Sequence, residues 1–374
     1  MTTSGEGDRM APSTADRDDI PLMGRFTGCL LGGALGDALG WPIEFDSIEE
    51  IREQFGENGI QQPVPNGDGY FEITDDTQMT LFTAEGCLQA WTAARHCGPP
   101  PDFKGALYRA YRRWLHTQKQ GGEAAGGWLL GLPQIHARRA PGKTCLSALC
   151  SDRVGSAQSP INDSKGCGGV MRAAPAGLIA TRIVDGGDED IARFAFELGS
   201  AAAAITHGHP SGYLPAGYLA GLVSALCRGM QFLPAVKLVL KILHKQQGCD
   251  ETIAAIEQAI ALYEDKETAP SPEAVEILGD GWVGEEALAI SLYCSLAAEG
   301  DVVRGLLLSV NHSGDSDSTG SITGNILGTL YGEQSLPVTW LQHLELAGVT
   351  WQMGEDLYTS FAGTDVWLKR YLPA

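Results

Sequence analysis

The sequence predicts an all-α protein with one main domain. From residue 24 onward, apolar residues recur at helical spacing almost everywhere. No run of alternating β-branched residues lies between turn signals, so no strand is predicted. No linker or shift in composition divides the chain after its acidic beginning. This favours a flexible acidic N-terminal arm over residues 1–22 and a single domain over 23–374.

The predicted helices follow one another with irregular connections between them, and their ends are defined to within a few residues. In chain order they lie at 24–40, 48–55, 75–96, 102–118, 127–137, 189–206, 213–229, 232–247, 251–264, 284–299, 301–309, 318–332, 336–346 and 354–361. The connections over 56–73 and 139–169 are rich in proline, glycine or serine and are longer than connections in compact domains usually are. Connections of this length are typically functional or disordered.

The first helix and the helix at 318–332 carry glycine at every fourth position. The glycines are residues 24, 28, 32, 36 and 40 in and around the first, and 320, 324, 328 and 332 in and around the second. In a helix, residues four apart share one face, and each glycine costs about 1 kcal/mol relative to alanine. Close approach of another backbone would offset that cost. Two interpretations are open: the helices lie centrally for packing alone, or they cross each other and bring their acidic ends together.

Acidic residues cluster at the ends of these two helices and at the start of the helix at 75–96. They are Asp37, Glu44, Asp75, Asp76, Asp315 and Asp317. Each has an ordinary explanation as a helix cap or first-turn residue. Gathered together, the carboxylates would repel one another unless cations lay between them. Carboxylate and Ser/Thr hydroxyl oxygens are hard ligands that suit Mg²⁺, Mn²⁺ or Ca²⁺, and two such ions would balance four carboxylates.

Composition excludes several classes of protein. With 26 Lys and Arg against 46 Asp and Glu, the chain has a net charge of −20, the wrong sign for binding nucleic acid. No apolar stretch approaches the roughly 20 residues that span a bilayer, and the first 20 residues do not resemble a secretory signal. Nine cysteines with no C-x-x-C pair indicate reduced thiols. We therefore expect a cytoplasmic protein that does not bind membranes and acts as a monomer.

Five motifs, in this order, cover nearly the whole domain. They are GDALGWPIEF (36–45), TDDTQMT (74–80), GCGGVMR (166–172), ITHGHPSGY (205–213) and GDSDSTG (314–320). Together they resemble the ADP-ribosylglycohydrolase family. The resemblance implies a compact single-domain orthogonal helical bundle with a central binuclear metal site. It also implies an enzyme that removes ADP-ribose from modified side chains or small molecules, with two Mg²⁺ ions as cofactors and Mn²⁺ as an alternative.

The resemblance also implies roles for individual residues. The metal ligands would come from two sides of the site, Thr74, Asp75 and Asp76 on one and Asp315, Asp317 and Ser318 on the other. Glu44 would lie on a mobile loop that faces the metals or the scissile bond, and the 56–73 segment would belong to the same lid. Either Asp76 or Glu44 would assist a metal-oriented water that attacks the anomeric carbon, as a general base or by stabilising positive charge.

The remaining motifs would bind the substrate. Gly166, Cys167, Gly168 and Gly169 have the composition of an anion cradle for a pyrophosphate or ribose, although a simple turn is the alternative. His207 matches a histidine near the substrate's ribose or phosphates, and the alternative is an ordinary core histidine. Arg172 would pair either with a phosphate or with a buried carboxylate.

The form of the last motif, in which Thr319 and Gly320 follow Ser318, is similar to that of family members acting on ADP-ribosylarginine in proteins. Glu285 and Glu286 would add negative charge near the guanidinium, or they are ordinary first-turn residues. One alternative is an immunity protein that neutralises an ADP-ribosyltransferase toxin by direct binding as well as by hydrolysis, with the acidic arm as a contact element. The other is a hydrolase of ADP-ribosylserine or of a small ADP-ribose derivative.

Overall fold

The computed structural model of the chain describes residues 20–119, 121–122, 125–151 and 153–372. Over these ranges the secondary structure consists of helices and a few isolated β-bridges without a strand, which confirms the all-α prediction. Nearly all of the predicted arm lies outside the described residues, and the first helix already begins at Leu22. The toxin-binding alternative therefore stays a prediction. None of the described helices combines the length and apolar character that crossing a membrane requires.

The helices are numbered here in chain order. They are α1 (Leu22–Gly40), α2 (Ile48–Phe55), α3 (Asp75–Cys97), α4 (Phe103–Thr117), α5 (Lys143–Cys150), α6 (Ala174–Ile183), α7 (Asp188–Ala204), α8 (Pro210–Cys227), α9 (Phe232–Leu243), α10 (Asp250–Glu264), α11 (Pro272–Glu276), α12 (Gly284–Ala297), α13 (Val302–Val310), α14 (Ser316–Tyr331), α15 (Val338–Leu341), α16 (Ala347–Thr359) and α17 (Asp365–Tyr371). Short 3₁₀ turns at Trp41–Ile43, Leu129–Gly131, Pro133–His136, Cys167–Gly169 and Glu333–Ser335 complete the fold.

The helices α1 and α14 lie against each other in the centre of the protein, and nearly all of their residues are buried. Their glycines face one another. A Cβ atom added to Gly28 would lie 2.5 Å from the carbonyl oxygen of Gly328, and Gly36 faces the carbonyl of Gly320 even more closely. The residue numbers fall along one helix as they rise along the other, so the pair is antiparallel. Only glycine permits this separation, because any Cβ would meet backbone atoms.

The antiparallel register decides between the two interpretations of the glycines spaced four residues apart. Gly40, the last residue of α1, faces Ser316, the first residue of α14. The segment after α1 and the N-terminus of α14 are therefore neighbours. Close packing and the meeting of the acidic ends are two results of the same contact.

Several element predictions were wrong. The predicted helix over 127–137 is a pair of 3₁₀ turns, because Gly127 has a φ of 136° and Pro133 interrupts the pattern. The predicted helix over 336–346 is reduced to α15. The connection over 139–169 contains α5, which was not predicted. The helices α6 and α11 were also missed, and each has a proline in its first turn, where no intrahelical hydrogen bond is lost. The terminal helix α17 was missed as well.

Candidate metal centre and substrate cavity

The start of α3 is held by a carboxylate from α1. The Asp37 carboxylate accepts hydrogen bonds from the backbone N–H of Thr74 at 3.0 Å and of Thr77 at 3.0 Å, and from the Thr77 hydroxyl at 2.5 Å. Burial raises the pKa of Asp37 to about 6, and the hydrogen bonds from Thr77 and Thr74 limit that rise. Asp37 therefore fixes the turn that carries Asp75 and Asp76. Sequence reasoning placed Asp37 in the acidic cluster but missed this positioning role.

The start of α14 is organised by its own carboxylates. The Ser318 N–H donates to Asp317 Oδ1 at 2.7 Å and to Asp315 Oδ1 at 3.4 Å. The backbone N–H of Asp315 donates to the carbonyl of Asp280 at 2.8 Å, and the Cys167 thiol donates to Asp315 Oδ2 at 2.7 Å. These contacts account for part of the hydrogen-bonding capacity of the two carboxylates. The other lone pairs are available for a ligand.

A cluster of three carboxylates forms where the end of α1 lies next to the start of α14. Glu44, Asp315 and Asp317 each place an oxygen within 4.8 Å of the others, and all three are buried. Glu44 Oε2 and Asp76 Oδ1 have no hydrogen-bond partner among the described residues, although the two side chains are only 6% and 2% exposed. Buried carboxylate oxygens without a donor are costly unless a cation balances them. This donor set fits a hard divalent cation such as Mg²⁺ or Mn²⁺.

The pKa values of the clustered carboxyl groups also favour a cation site. Burial raises the pKa of Glu44 to about 9 and that of Asp75 to about 8, and the charges of neighbouring carboxylates add to both increases. Burial also raises the pKa of Asp76 and of Asp317 well above the ordinary value, with further increases from nearby carboxylates. Without cations, this group of acids binds protons near neutral pH. Divalent ions would compete with those protons.

The stability of the metal-free protein is expected to fall as the pH rises from about 4 to about 9. Glu44 and Asp75 have pKa values that are higher in the folded than in the unfolded chain, so over this range the folded state holds more protons. Mg²⁺ should therefore raise the melting temperature more at about pH 8.5 than at about pH 6. Thermal unfolding with EDTA or with Mg²⁺ at both pH values measures this. An equal increase at the two pH values would contradict the assignment.

The cluster forms one wall of a cavity of about 600 Å³. Twelve residues were predicted as metal ligands, as catalytic groups or as substrate contacts in the 166–169 segment and at His207, and all but two of them line this cavity, namely Glu44, Asp75, Asp76, Gly166, Cys167, Gly168, His207, Asp315, Asp317 and Ser318. The exceptions are Thr74, whose hydroxyl oxygen accepts from the Asp76 N–H, and Gly169, which packs against the Gly212 carbonyl. The cavity thus brings together residues from five separate motifs.

The glycine loop, residues 166–169, does not use its first two backbone N–H groups for the predicted anion cradle. The Gly166 N–H donates to Ser164 Oγ at 3.2 Å, and the Cys167 N–H donates to the Trp282 carbonyl at 3.1 Å. The glycines instead make room for His207, because a Cβ on Gly166 or Gly168 would lie 3.4 Å from its Nε2 atom. The absence of these side chains leaves the imidazole next to the cavity.

Arg172 follows neither of its two predicted interpretations. The side chain is fully buried, does not line the cavity, and has no carboxylate partner within the described part of the chain. Its guanidinium donates to the Thr206 hydroxyl at 2.7 Å and to Cys145 Sγ at 3.2 Å, and it lies 4.3 Å from the ring centre of Tyr111. The stack on Tyr111 partly offsets the cost of burying this cation.

Glu285 and Glu286 do not line the cavity either. Of their two interpretations, this favours ordinary first-turn residues of α12 over groups near a guanidinium. The Glu286 carboxylate accepts from the backbone N–H groups of Asp280 and Gly281.

The cavity also has lining residues that sequence reasoning did not single out. Phe45 and Trp282 stack with ring centres 5.6 Å apart and an interplanar angle of 17°, and they are 68% and 40% exposed. Arg138 and Lys143 add two cations to the same cavity. The one available signal was that Phe45 follows Glu44 directly, whereas the other three lie in segments without a chemical motif.

Comparison with known proteins gives a consistent result. The ADP-ribosylglycohydrolase family model matches residues 18–366. The mouse ADP-ribosylhydrolase ARH3 is 23% identical, with 90% of this chain and 92% of the mouse protein covered. The ADP-ribosyl-dinitrogen reductase glycohydrolase of Rhodospirillum rubrum is 23% identical over 86% of this chain and 90% of its own. A solved ADP-ribosylglycohydrolase-related protein complex has a similar fold, with a TM-score of 0.55 over 91% of this chain and 98% of that chain.

Proposed function

The chain belongs to the ADP-ribosylglycohydrolase family, and from this membership we propose that it is a Mg²⁺-dependent hydrolase that releases ADP-ribose from ADP-ribosylated arginine side chains of proteins. Removal of ADP-ribose from modified substrates and dependence on metal are properties of the family. The arginine linkage, the choice and number of ions and the roles of single residues are the parts that we propose.

The observation that carries the proposal is the mixed chemistry of one cavity. The carboxylates of Glu44, Asp315 and Asp317 line it together with the glycine loop and His207. Arg138 and Lys143 also line the cavity and suit the two negative charges of a diphosphate. ADP-ribose has the matching pattern, with ribose hydroxyls next to the bond to be cleaved and a diphosphate farther along.

Two divalent ions would be held by Asp75 and Asp76 from α3 and by Asp315, Asp317 and Ser318 from the start of α14. When bound, the ions would supply positive charge for the ribose hydroxyls and for the attacking water. Their charge would also lower the pKa values of the surrounding carboxyl groups.

Glu44 is proposed to act on the reacting atoms. Its Oε2 has no hydrogen-bond donor among the described residues, and one of its carboxylate oxygens lies within 4.8 Å of oxygens of Asp315 and Asp317. An ionised Glu44 would accept a proton from the attacking water or stabilise the oxocarbenium-like transition state. Asp76, whose Oδ1 is equally unpartnered, is the alternative for this role.

The stacked pair of Phe45 and Trp282 supports the choice of arginine. A guanidinium packs well on aromatic faces, and these two exposed rings line the cavity next to Glu44. The serine of an ADP-ribosylserine has neither a charge nor a planar group for such a contact. The similarity of residues 318–320 to the corresponding segment of family members that act on ADP-ribosylarginine also favours arginine.

A direct assay tests the function. The purified protein is incubated with ADP-ribosylarginine, ADP-ribosylserine and O-acetyl-ADP-ribose, and free ADP-ribose is measured. We expect the arginine compound to be cleaved fastest, EDTA to lower its turnover by about 100-fold or more, and Mg²⁺ to restore it. Faster cleavage of the serine or acetyl compound would contradict the arginine assignment. Turnover that EDTA does not change would contradict the metal requirement.

A further inference from the structure

A chain of three buried side chains runs from the interior to the substrate cavity. The guanidinium of Arg172 donates to Thr206 Oγ1 at 2.7 Å, and Thr206 Oγ1 lies 2.8 Å from Nδ1 of His207. Arg172 and Thr206 are fully buried and His207 is 1% exposed. Of the three, only His207 lines the cavity.

The hydrogen bonds decide which imidazole nitrogen carries the proton. Burial, together with the charge of Arg172, lowers the pKa of His207 to about 3, so the ring is neutral and has one N–H. Arg172 can only donate, so the Thr206 oxygen accepts from it. The nearest acceptor for the hydroxyl proton is His207 Nδ1 at 2.8 Å, and the Ala203 carbonyl lies farther away at 3.3 Å. The shorter distance favours donation to Nδ1.

The other nitrogen, Nε2, is the one next to the glycine loop. Within the described ranges it has no hydrogen-bond partner, and Gly166 and Gly168 have no side chain to cover it. If Nδ1 accepts from Thr206, then Nε2 carries the proton. A neutral N–H donor in the cavity lining suits an anionic or hydroxyl oxygen. The positive charge of Arg172, which has no ion pair with a carboxylate among the residues that the structure describes, strengthens that preference.

We propose that Arg172 and Thr206 are positioning residues that keep the proton of His207 on Nε2, where it donates a hydrogen bond to a diphosphate or ribose oxygen of ADP-ribose. The identity of the ligand rests on the proposed function. The proton placement does not, because every contact that fixes it lies within the protein.

The proton placement is tested first, on the ligand-free protein. Long-range ¹⁵N–¹H correlation NMR of histidine-labelled full-length protein distinguishes a protonated from an unprotonated ring nitrogen, and loss of signals in His207→Gln identifies the ring. We expect Nε2 to be protonated and Nδ1 to be an acceptor in the wild type and in Thr206→Ser. A proton on Nδ1 of the wild type would overturn the proposal, whether or not any variant folds.

Binding of ADP-ribose in the presence of Mg²⁺, measured by calorimetry, is the second test. Thr206→Val removes the hydroxyl with little change of shape and should raise the Kd for ADP-ribose about 10-fold, whereas Thr206→Ser should stay within about twofold of the wild type. Equal affinity of Thr206→Val and the wild type would overturn the role of Thr206. A wild-type protein that does not bind ADP-ribose would contradict the proposed function, and the NMR result would still decide the proton placement.

Discussion

Asp317→Asn is expected to lower the release of ADP-ribose by about 1,000-fold or more, because it removes one charge from the group of carboxylates that would hold the divalent ions. The fold should remain, since an asparagine oxygen can still accept from the Ser318 N–H. The increase in melting temperature caused by Mg²⁺ should disappear. Turnover of ADP-ribosylarginine and thermal unfolding with and without Mg²⁺ measure the two effects.

The same variant should have an opposite effect on the metal-free protein. Burial, together with the neighbouring carboxylates, raises the pKa of Asp317, so near neutral pH the metal-free chain must protonate this carboxyl group on folding, a cost that asparagine does not have. In EDTA, Asp317→Asn should therefore melt at a higher temperature than the wild type. The matched control is Asp365→Asn, at an exposed aspartate in the first turn of α17, which should change neither activity nor the effect of Mg²⁺. Full activity of Asp317→Asn would reject the proposed metal centre.

Gly36→Ala is expected to cost about 3 kcal/mol or more of folding free energy, measured by urea unfolding. A Cβ on Gly36 would overlap the backbone carbonyl of Gly320 and would lie 2.9 Å from the nitrogen of Ser321. These are backbone atoms of a buried helix, so α1 and α14 must move apart. Their separation would also draw Glu44 away from Asp317, and activity should therefore fall together with stability.

Gly24→Ala is the matched control on the same helix and in the same row of glycines. A Cβ at this position would meet only the side-chain oxygen of Gln334, at an ordinary 3.5 Å. Because alanine is the better helix former by about 1 kcal/mol, Gly24→Ala should leave stability unchanged or raise it. If Gly36→Ala were as stable as Gly24→Ala, the close contact between the two helices would be wrong.

The carboxylate cluster shows how much of the site could be predicted from the sequence. The repeated acidic and hydroxyl residues at helix starts predicted a divalent metal site, because the chemistry of these ligands is visible in the residue types themselves. The position of Asp37 in the chain did not reveal its role. Its carboxylate binds the backbone of Thr74 and Thr77, and a contact with a backbone N–H has no signature in the sequence.

The contacts of the aromatic and cationic residues in and behind the cavity could not be predicted from the sequence. Phe45 and Trp282 meet across more than 200 positions of the chain. Phe45 ends the GDALGWPIEF motif but has no ligand atom that would draw attention to it, and Trp282 lies outside the five motifs. Arg172 was expected to meet an anion, whereas it lies on Tyr111 and hydrogen bonds to Thr206. A charged residue in a motif indicates that a partner exists, but the partner itself depends on which helices pack together.

The helical class, the spacing of the glycines and the chemical character of the site could be predicted without a structure, because helical periodicity, the missing Cβ and the type of ligand atom are local properties. Whether the glycines serve packing alone or also bring the acidic ends of the helices together stayed open. The answer came from the packing of α1 against α14 in one antiparallel register, which places Gly40 next to Ser316. That register depends on backbone contacts between residues about 300 positions apart, and such contacts are fixed by the packing of the whole domain.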